Sequence, residues 1–137
     1  MQIRHCAVFL FSFLVFSLPN AHADEASKGR DLFLRNCIAC HAFACNKEGS
    51  DSGPKLGGLF GRKAAGVDDY DGYSEGLRNS GIVWSEDSLD AYFQDPARVE
   101  PDNTMAYDGK IEDPDERRQM IAFLATEDPT VNLCPQE

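Results

Sequence analysis

Three histidines, three methionines and one tryptophan are all that a chain of 137 residues offers of those types. Only one of the histidines, His41, lies beyond the first 23 residues, so a metal held by two histidines of that part of the chain is not expected. Positive charge is also short: 13 lysines and arginines face 23 acids, a net charge of −10. That balance argues against nucleic acid or an anionic membrane surface as a partner, since both are held through lysine and arginine. Long apolar runs are missing, apart from Cys6 to Leu18. That run falls short of the roughly 20 residues a membrane-spanning helix needs. There is no internal repeat, no low-complexity tract and no convincing period-two alternation, so repeat architectures and half-buried sheets are not expected.

The one apolar run reads as part of a leader. Arg4 and His5 precede it and Ala21-His22-Ala23 follows as a small-x-small cleavage site, the pattern of a secretory signal peptide at 1–23. Cys6 stands at the front of the run, away from the cleavage point, so no lipid anchor is expected. Cleavage before Asp24 leaves a single domain, 24–137, of about 114 residues. Its expected location is the periplasm, as a soluble monomer with no membrane anchor. Arg4 is the only charged residue lost, which makes the mature chain more acidic by one unit. It keeps Cys37, Cys40, Cys45 and Cys134, one histidine at His41, and Met105 and Met120. Its apolar inventory is lean for its length, and such a chain needs help to build a core. A covalently bound macrocycle would supply it, so the apoprotein is expected to fold poorly.

What is present centres on Cys37-Ile38-Ala39-Cys40-His41. C-x-x-C-H is the attachment signature of c-type haem. Residues three and four apart share one face of a helical turn. Two thiols so placed can each form a thioether with one vinyl group, and His41 then lies under the iron as proximal ligand. A thioredoxin-like dithiol needs a preceding strand in a βαβ setting, and the chain ahead of Cys37 reads as helix. A zinc site of Cys37, Cys40, His41 and Cys45 would draw every ligand from one segment, whereas structural zinc sites pair separated ones. One haem c, bound through Cys37 and Cys40, is the expected cofactor.

Around the motif the pattern predicts an all-α fold with three main helices, a short one and long loops. The first runs from a cap at Asp24 or Ser27 to about Cys40. Gly29 inside it costs up to about 1 kcal/mol against alanine, which fits either a close helix crossing or a frayed start. Phe43 to Arg62 reads as loop, punctuated by Gly53-Pro54 and Gly57-Gly58. Ser74 caps a short helix that ends at Gly81. Ser85 caps the next, with Leu89, Tyr92 and Phe93 on its buried face and Pro96 as its stop. Val99 to Ile111 reads as irregular. Asp113-Pro114-Asp115-Glu116 starts the last helix, with Met120, Phe123 and Leu124 facing inward. A backbone carbonyl near Pro54 would orient the His41 ring if the two are neighbours. With no second histidine in the mature chain, methionine is the usual other axial ligand. Met120 belongs to a core stripe, so Met105, in an extended loop, is the expected ligand.

The chain resembles the class I cytochromes c of the mitochondrial and bacterial c2 type. The likeness runs from Gly29 to Leu124, through Phe33, the Cys37–His41 motif, Gly53 to Arg62, Tyr73, Asn79, Gly81, Trp84, Tyr92, Pro96, Pro101, Met105 and Phe123. It implies that fold and a one-electron carrier with His41 and Met105 on the iron, and no enzymatic activity. It implies that Gly29 and Phe33 meet the last helix near Phe123, and that the Pro54 carbonyl accepts from His41. Tyr73 and Trp84 would hydrogen-bond a buried propionate, with Arg62 offsetting its charge, and Tyr92 would lie near the Met105 sulfur.

Three departures from that family follow. The loop after His41 is one residue longer and holds Cys45, and a tail ends near Cys134. In an exported protein the two suggest a disulfide, Cys45–Cys134. Asp31, Asn36, Ala97 and Thr104 stand where lysines commonly ring the haem edge, and only Arg98 keeps a positive charge. The expected redox partner therefore presents a basic docking surface. Two alternatives are a haem enzyme or gas sensor with Met105 off the iron, and an acceptor dedicated to one periplasmic dehydrogenase.

Overall fold

Gly29 decides how the two longest helices meet. It lies in α1 (Ala21–Asn36) against α5 (Pro114–Leu124). A Cβ there would sit 1.9 Å from the Gln119 carbonyl oxygen and 2.7 Å from the Phe123 Cβ. The crossing is therefore backbone against backbone, and the alternative of a frayed helix start falls. Phe33 and Phe123 pack at 5.4 Å between ring centroids, and Phe43 closes on Phe123 at 4.6 Å. Burying such rings supplies about 1.5–3 kcal/mol each. At the rim, Arg118 Nε reaches the Glu25 carboxylate at 3.0 Å.

The computed structural model describes residues 21–44, 52–101 and 103–126. The bulk of the expected leader, the Cys45–Cys134 disulfide and the C-terminal tail lie outside the described residues. The unprocessed chain carries α1 back to Ala21, ahead of the expected mature start at Asp24. Between α1 and α5 come α2 (Glu75–Asn79), α3 (Glu86–Gln94), a 3₁₀ turn (Pro96–Arg98) and α4 (Met105–Asp108). Described secondary structure is helical apart from one antiparallel bridge, Lys63 to Val83. The fold is all-α.

The caps explain the boundaries. Ser74 accepts from the Leu77 N–H at the start of α2. Ser85 and Ser88 form a reciprocal capping box on α3, and Asp113 accepts from the Asp115 N–H ahead of Pro114 on α5. Each satisfies a donor that the first helical turn leaves unpaired. Leu89, Tyr92 and Phe93 line the inner face of α3, and Met120, Phe123 and Leu124 that of α5, where Met120 is 1% exposed.

Two boundaries differ from the sequence reading. Regular α1 stops at Asn36, short of Cys40, because the Phe33 carbonyl accepts from both Cys37 and Ile38. The register loosens there into tighter turns, with Cys40 N–H on the Cys37 carbonyl at 3.0 Å. Val99 to Ile111 is not wholly irregular, and Met105 is not in an extended loop. Asn103 Oδ1 accepts the Met105 N–H at 3.0 Å and Met105 opens the single turn of α4. An asparagine two residues ahead caps locally in a way that hydrophobic periodicity does not reveal.

Candidate haem-binding site

The loosened turn after α1 turns the three motif side chains in different degrees toward the interior. Cys37 is half-buried, Cys40 is exposed and His41 is 8% exposed. Neither cysteine forms a disulfide with a described residue. Burial, and to a lesser extent the neighbouring Cys40, pushes the Cys37 thiol up to about 11. A raised thiol pKa disfavours the thiolate that a metal site would need. Among the described residues no three of His, Cys, Asp or Glu come together to hold a metal ion.

His41 is held by its ring nitrogen. Nδ1 lies 2.8 Å from the Pro54 carbonyl oxygen. A carbonyl only accepts, so Nδ1 carries the proton and donates. Nε2 is left with its lone pair free. Burial lowers the His41 pKa, against opposing contributions from the Pro54 hydrogen bond and the Glu100 charge, which keeps the imidazole neutral as a metal ligand must be. Gly53 makes the approach possible: a Cβ there would stand 2.6 Å from the His41 ring. Leu56 N–H and Gly57 N–H pair with the Ala42 and Phe43 carbonyls and fix the Pro54 loop against the motif.

Arg62 is drawn inward by the short pairing that also seats Trp84, whose N–H bonds the Arg62 carbonyl at 2.9 Å. Its guanidinium donates to the Lys55 carbonyl at 2.7 Å and the Gly57 carbonyl at 3.2 Å. Burial lowers its pKa and nearby Tyr73 opposes the shift. It forms no ion pair with any described residue. A half-buried guanidinium held only by carbonyls, beside a half-buried tyrosine, suits a carboxylate of a bound group. Tyr73 packs edge-on against Tyr70 at 4.9 Å. Trp84 is buried and meets Tyr92 edge-on at 5.2 Å. These residues fit a haem whose propionates Arg62 and Tyr73 would hold.

Met105 is half-buried against the core, its side chain lying over Gly109, where a Cβ would come within 2.5 Å of the Met105 Cε. Tyr92 holds a surprise. Its single hydroxyl proton goes to Glu100 Oε1, a residue with 2% exposure that the sequence reading passed over. Nothing in the order Val99-Glu100-Pro101 distinguishes this acid from the chain's 22 other acidic residues. Only its burial does. Asp31, Asn36, Ala97, Arg98 and Thr104 are all exposed, so the positions short of lysine do face solvent. Tyr107 on α4 is 80% exposed.

A family model described as Cytochrome c matches residues 26–128. Among curated relatives, a cytochrome c of Arabidopsis thaliana is 38% identical over 103 residues, covering 75% of this chain and 89% of that one. A cytochrome c of Tetrahymena pyriformis is 43% identical over 100 residues, 73% of this chain and 86% of its own. A cytochrome c of Cochliobolus lunatus is 38% identical over 103 residues, 75% and 93% of the two chains. With the motif, the neutral imidazole held by Pro54 and matches of this length all in agreement, the chain belongs to the cytochrome c family, as a monohaem electron carrier that binds one haem c covalently and works with redox partners.

Proposed function

We propose that this protein is an exported, periplasmic one-electron carrier, not an enzyme, with His41 and Met105 as axial ligands and thioethers at Cys37 and Cys40. Haem c, when bound, supplies an iron that alternates between Fe(II) and Fe(III). The observation that carries the reading is His41 Nδ1 donating to Pro54 at 2.8 Å, which leaves Nε2 unprotonated and able to ligate iron. Arg62, Tyr73 and Trp84 hold the propionates, and the buried aromatic lining keeps water from the iron. With both His41 and Met105 on the iron, a small gas would have nowhere to bind. No helix among the described residues is long and apolar enough to cross a membrane.

The exposed Asp31, Asn36, Ala97 and Thr104 support a partner whose docking surface is basic, because a negative carrier is steered by opposite charge. The test is spectroscopic. Purified ferric protein is expected to be low-spin with the weak far-red band of methionine ligation, and the reduced form to ignore carbon monoxide. Met105→Ala is expected to lower the reduction potential and to admit carbon monoxide. An unchanged spectrum in that variant would assign the sixth position to another group.

A further inference from the structure

Glu100 is the most deeply buried acid among the described residues, at 2% exposure. Both of its oxygens are engaged by hydroxyl donors from other elements. Tyr92 on α3 donates to Oε1, and Ser74, the cap of α2, donates to Oε2 at 2.8 Å. Ser74 Oγ also accepts from the Leu77 N–H at 3.1 Å, which leaves its one proton for the carboxylate. The backbone of Glu100 is tied as well: its N–H bonds the Pro96 carbonyl and its carbonyl accepts from Asn103, whose side chain caps Met105. The carboxylate thus joins α2, α3 and the segment that carries Met105.

No lysine or arginine among the described residues pairs with it. Arg98, two residues earlier, is exposed. Arg78 on α2 turns to the Tyr73 and Asp71 carbonyls, and Glu75 on α2 is exposed and bonded to Asn79. The ionisable groups that do feel Glu100 across the interior are Tyr92, Tyr70 and His41. A carboxylate shielded from solvent and matched only by neutral donors keeps most of its field.

We propose that Glu100 sets the reduction potential: it claims the Tyr92 hydroxyl proton and brings a negative charge, matched by no cation among the described residues, to the interior around Tyr92, favouring Fe(III). The inference rests on the haem ligation proposed above. Oxidation adds one positive charge to the iron, and a buried anion stabilises that state over the neutral one. A phenol committed to Glu100 also cannot donate to the Met105 sulfur, which leaves the thioether a better donor to Fe(III).

The test compares midpoint potentials at pH 7 in holoprotein. Glu100→Gln keeps an acceptor for Tyr92 and removes the charge. It is expected to raise the potential by a tenfold shift in the Fe(III)/Fe(II) ratio or more, about 59 mV for one electron. The far-red methionine band should stay. Glu100→Asp keeps the charge and should hold the potential near wild type. Glu100→Ala also removes the charge, at the cost of leaving the Tyr92 and Ser74 hydroxyls without their acceptor, and should move the potential in the same direction as Glu100→Gln should that variant not fold. No rise on loss of the charge, or an equal rise in Glu100→Asp, overturns the proposal. Absence of the methionine band in the wild-type protein would instead defeat the ligation reading, whatever the Glu100 variants do.

Discussion

Replacing Gly29 with alanine tests the helix crossing on which the fold depends. The added Cβ would lie 1.9 Å from the Gln119 oxygen and 2.6 Å from its carbonyl carbon. Both are backbone atoms of α5 and cannot swing aside. Ordinary contact begins near 3.4 Å, so α1 and α5 must separate by about 1.5 Å locally. A radial gap of 0.5–1 Å already forfeits roughly a quarter to a half of the dispersion energy of the atoms involved. The Phe33, Phe43 and Phe123 cluster lies on that seam. Overpacking of this kind costs about 1–3 kcal/mol or more, while alanine returns at most about 1 kcal/mol of helix propensity. The expected net loss is about 1–2 kcal/mol. Denaturant unfolding of the ferric holoprotein should show a lower midpoint at unchanged slope. Ser27→Ala, on the exposed side of the same helix, is the control and should change stability by only a few tenths of a kcal/mol. A Gly29→Ala protein as stable as wild type would refute the close crossing.

Arg117 is buried and donates to Asp90 at 2.7 Å and to the Ile111 and Glu112 carbonyls at 3.0 Å. Asp90 is half exposed, so most of the cost of Arg117→Met falls on the two carbonyls, about 1–3 kcal/mol by chemical denaturation; Arg117→Lys should lie between. Burial raises the phenol pKa values of Tyr70, Tyr73 and Tyr92, with Glu100 adding to the rise at Tyr92. A folded-state pKa above the unfolded value means stability that is fully present below pH 10 and lost as pH climbs through the folded values. Alkaline titration followed by tyrosine absorbance should therefore show Tyr92 ionising last and together with unfolding; ionisation of all four tyrosines at the ordinary phenol pH in folded protein would contradict the buried pair. Electron transfer to a basic partner should slow as salt rises, with the effect concentrated below about 0.15 M, where the screening length exceeds roughly 8 Å. Rates independent of salt would remove the electrostatic steering argument.

The residues that carry the chemistry were readable in one dimension because their spacing is itself the constraint. Two cysteines and a histidine on one turn, and caps at Ser74, Ser85 and Asp113, act over a few bonds and need no tertiary partner. The same holds for His41, the one histidine after the expected leader, since composition alone limits what can bind the iron. Tertiary packing decided the rest. Gly29 could mean a crossing or a frayed end until the Gln119 backbone was found against it. Arg117 carries no local signal for burial, and it is two carbonyls outside its own helix that draw it inward. Met105 opens a helical turn because Asn103 reaches its N–H. Above all, Glu100 is one acid among many in the sequence, and only the meeting of α2 and α3 around it brings Ser74 and Tyr92 to its oxygens. Burial and long-range hydrogen bonding depend on neighbours distant along the chain, so no local pattern could have told this carboxylate from those that face water.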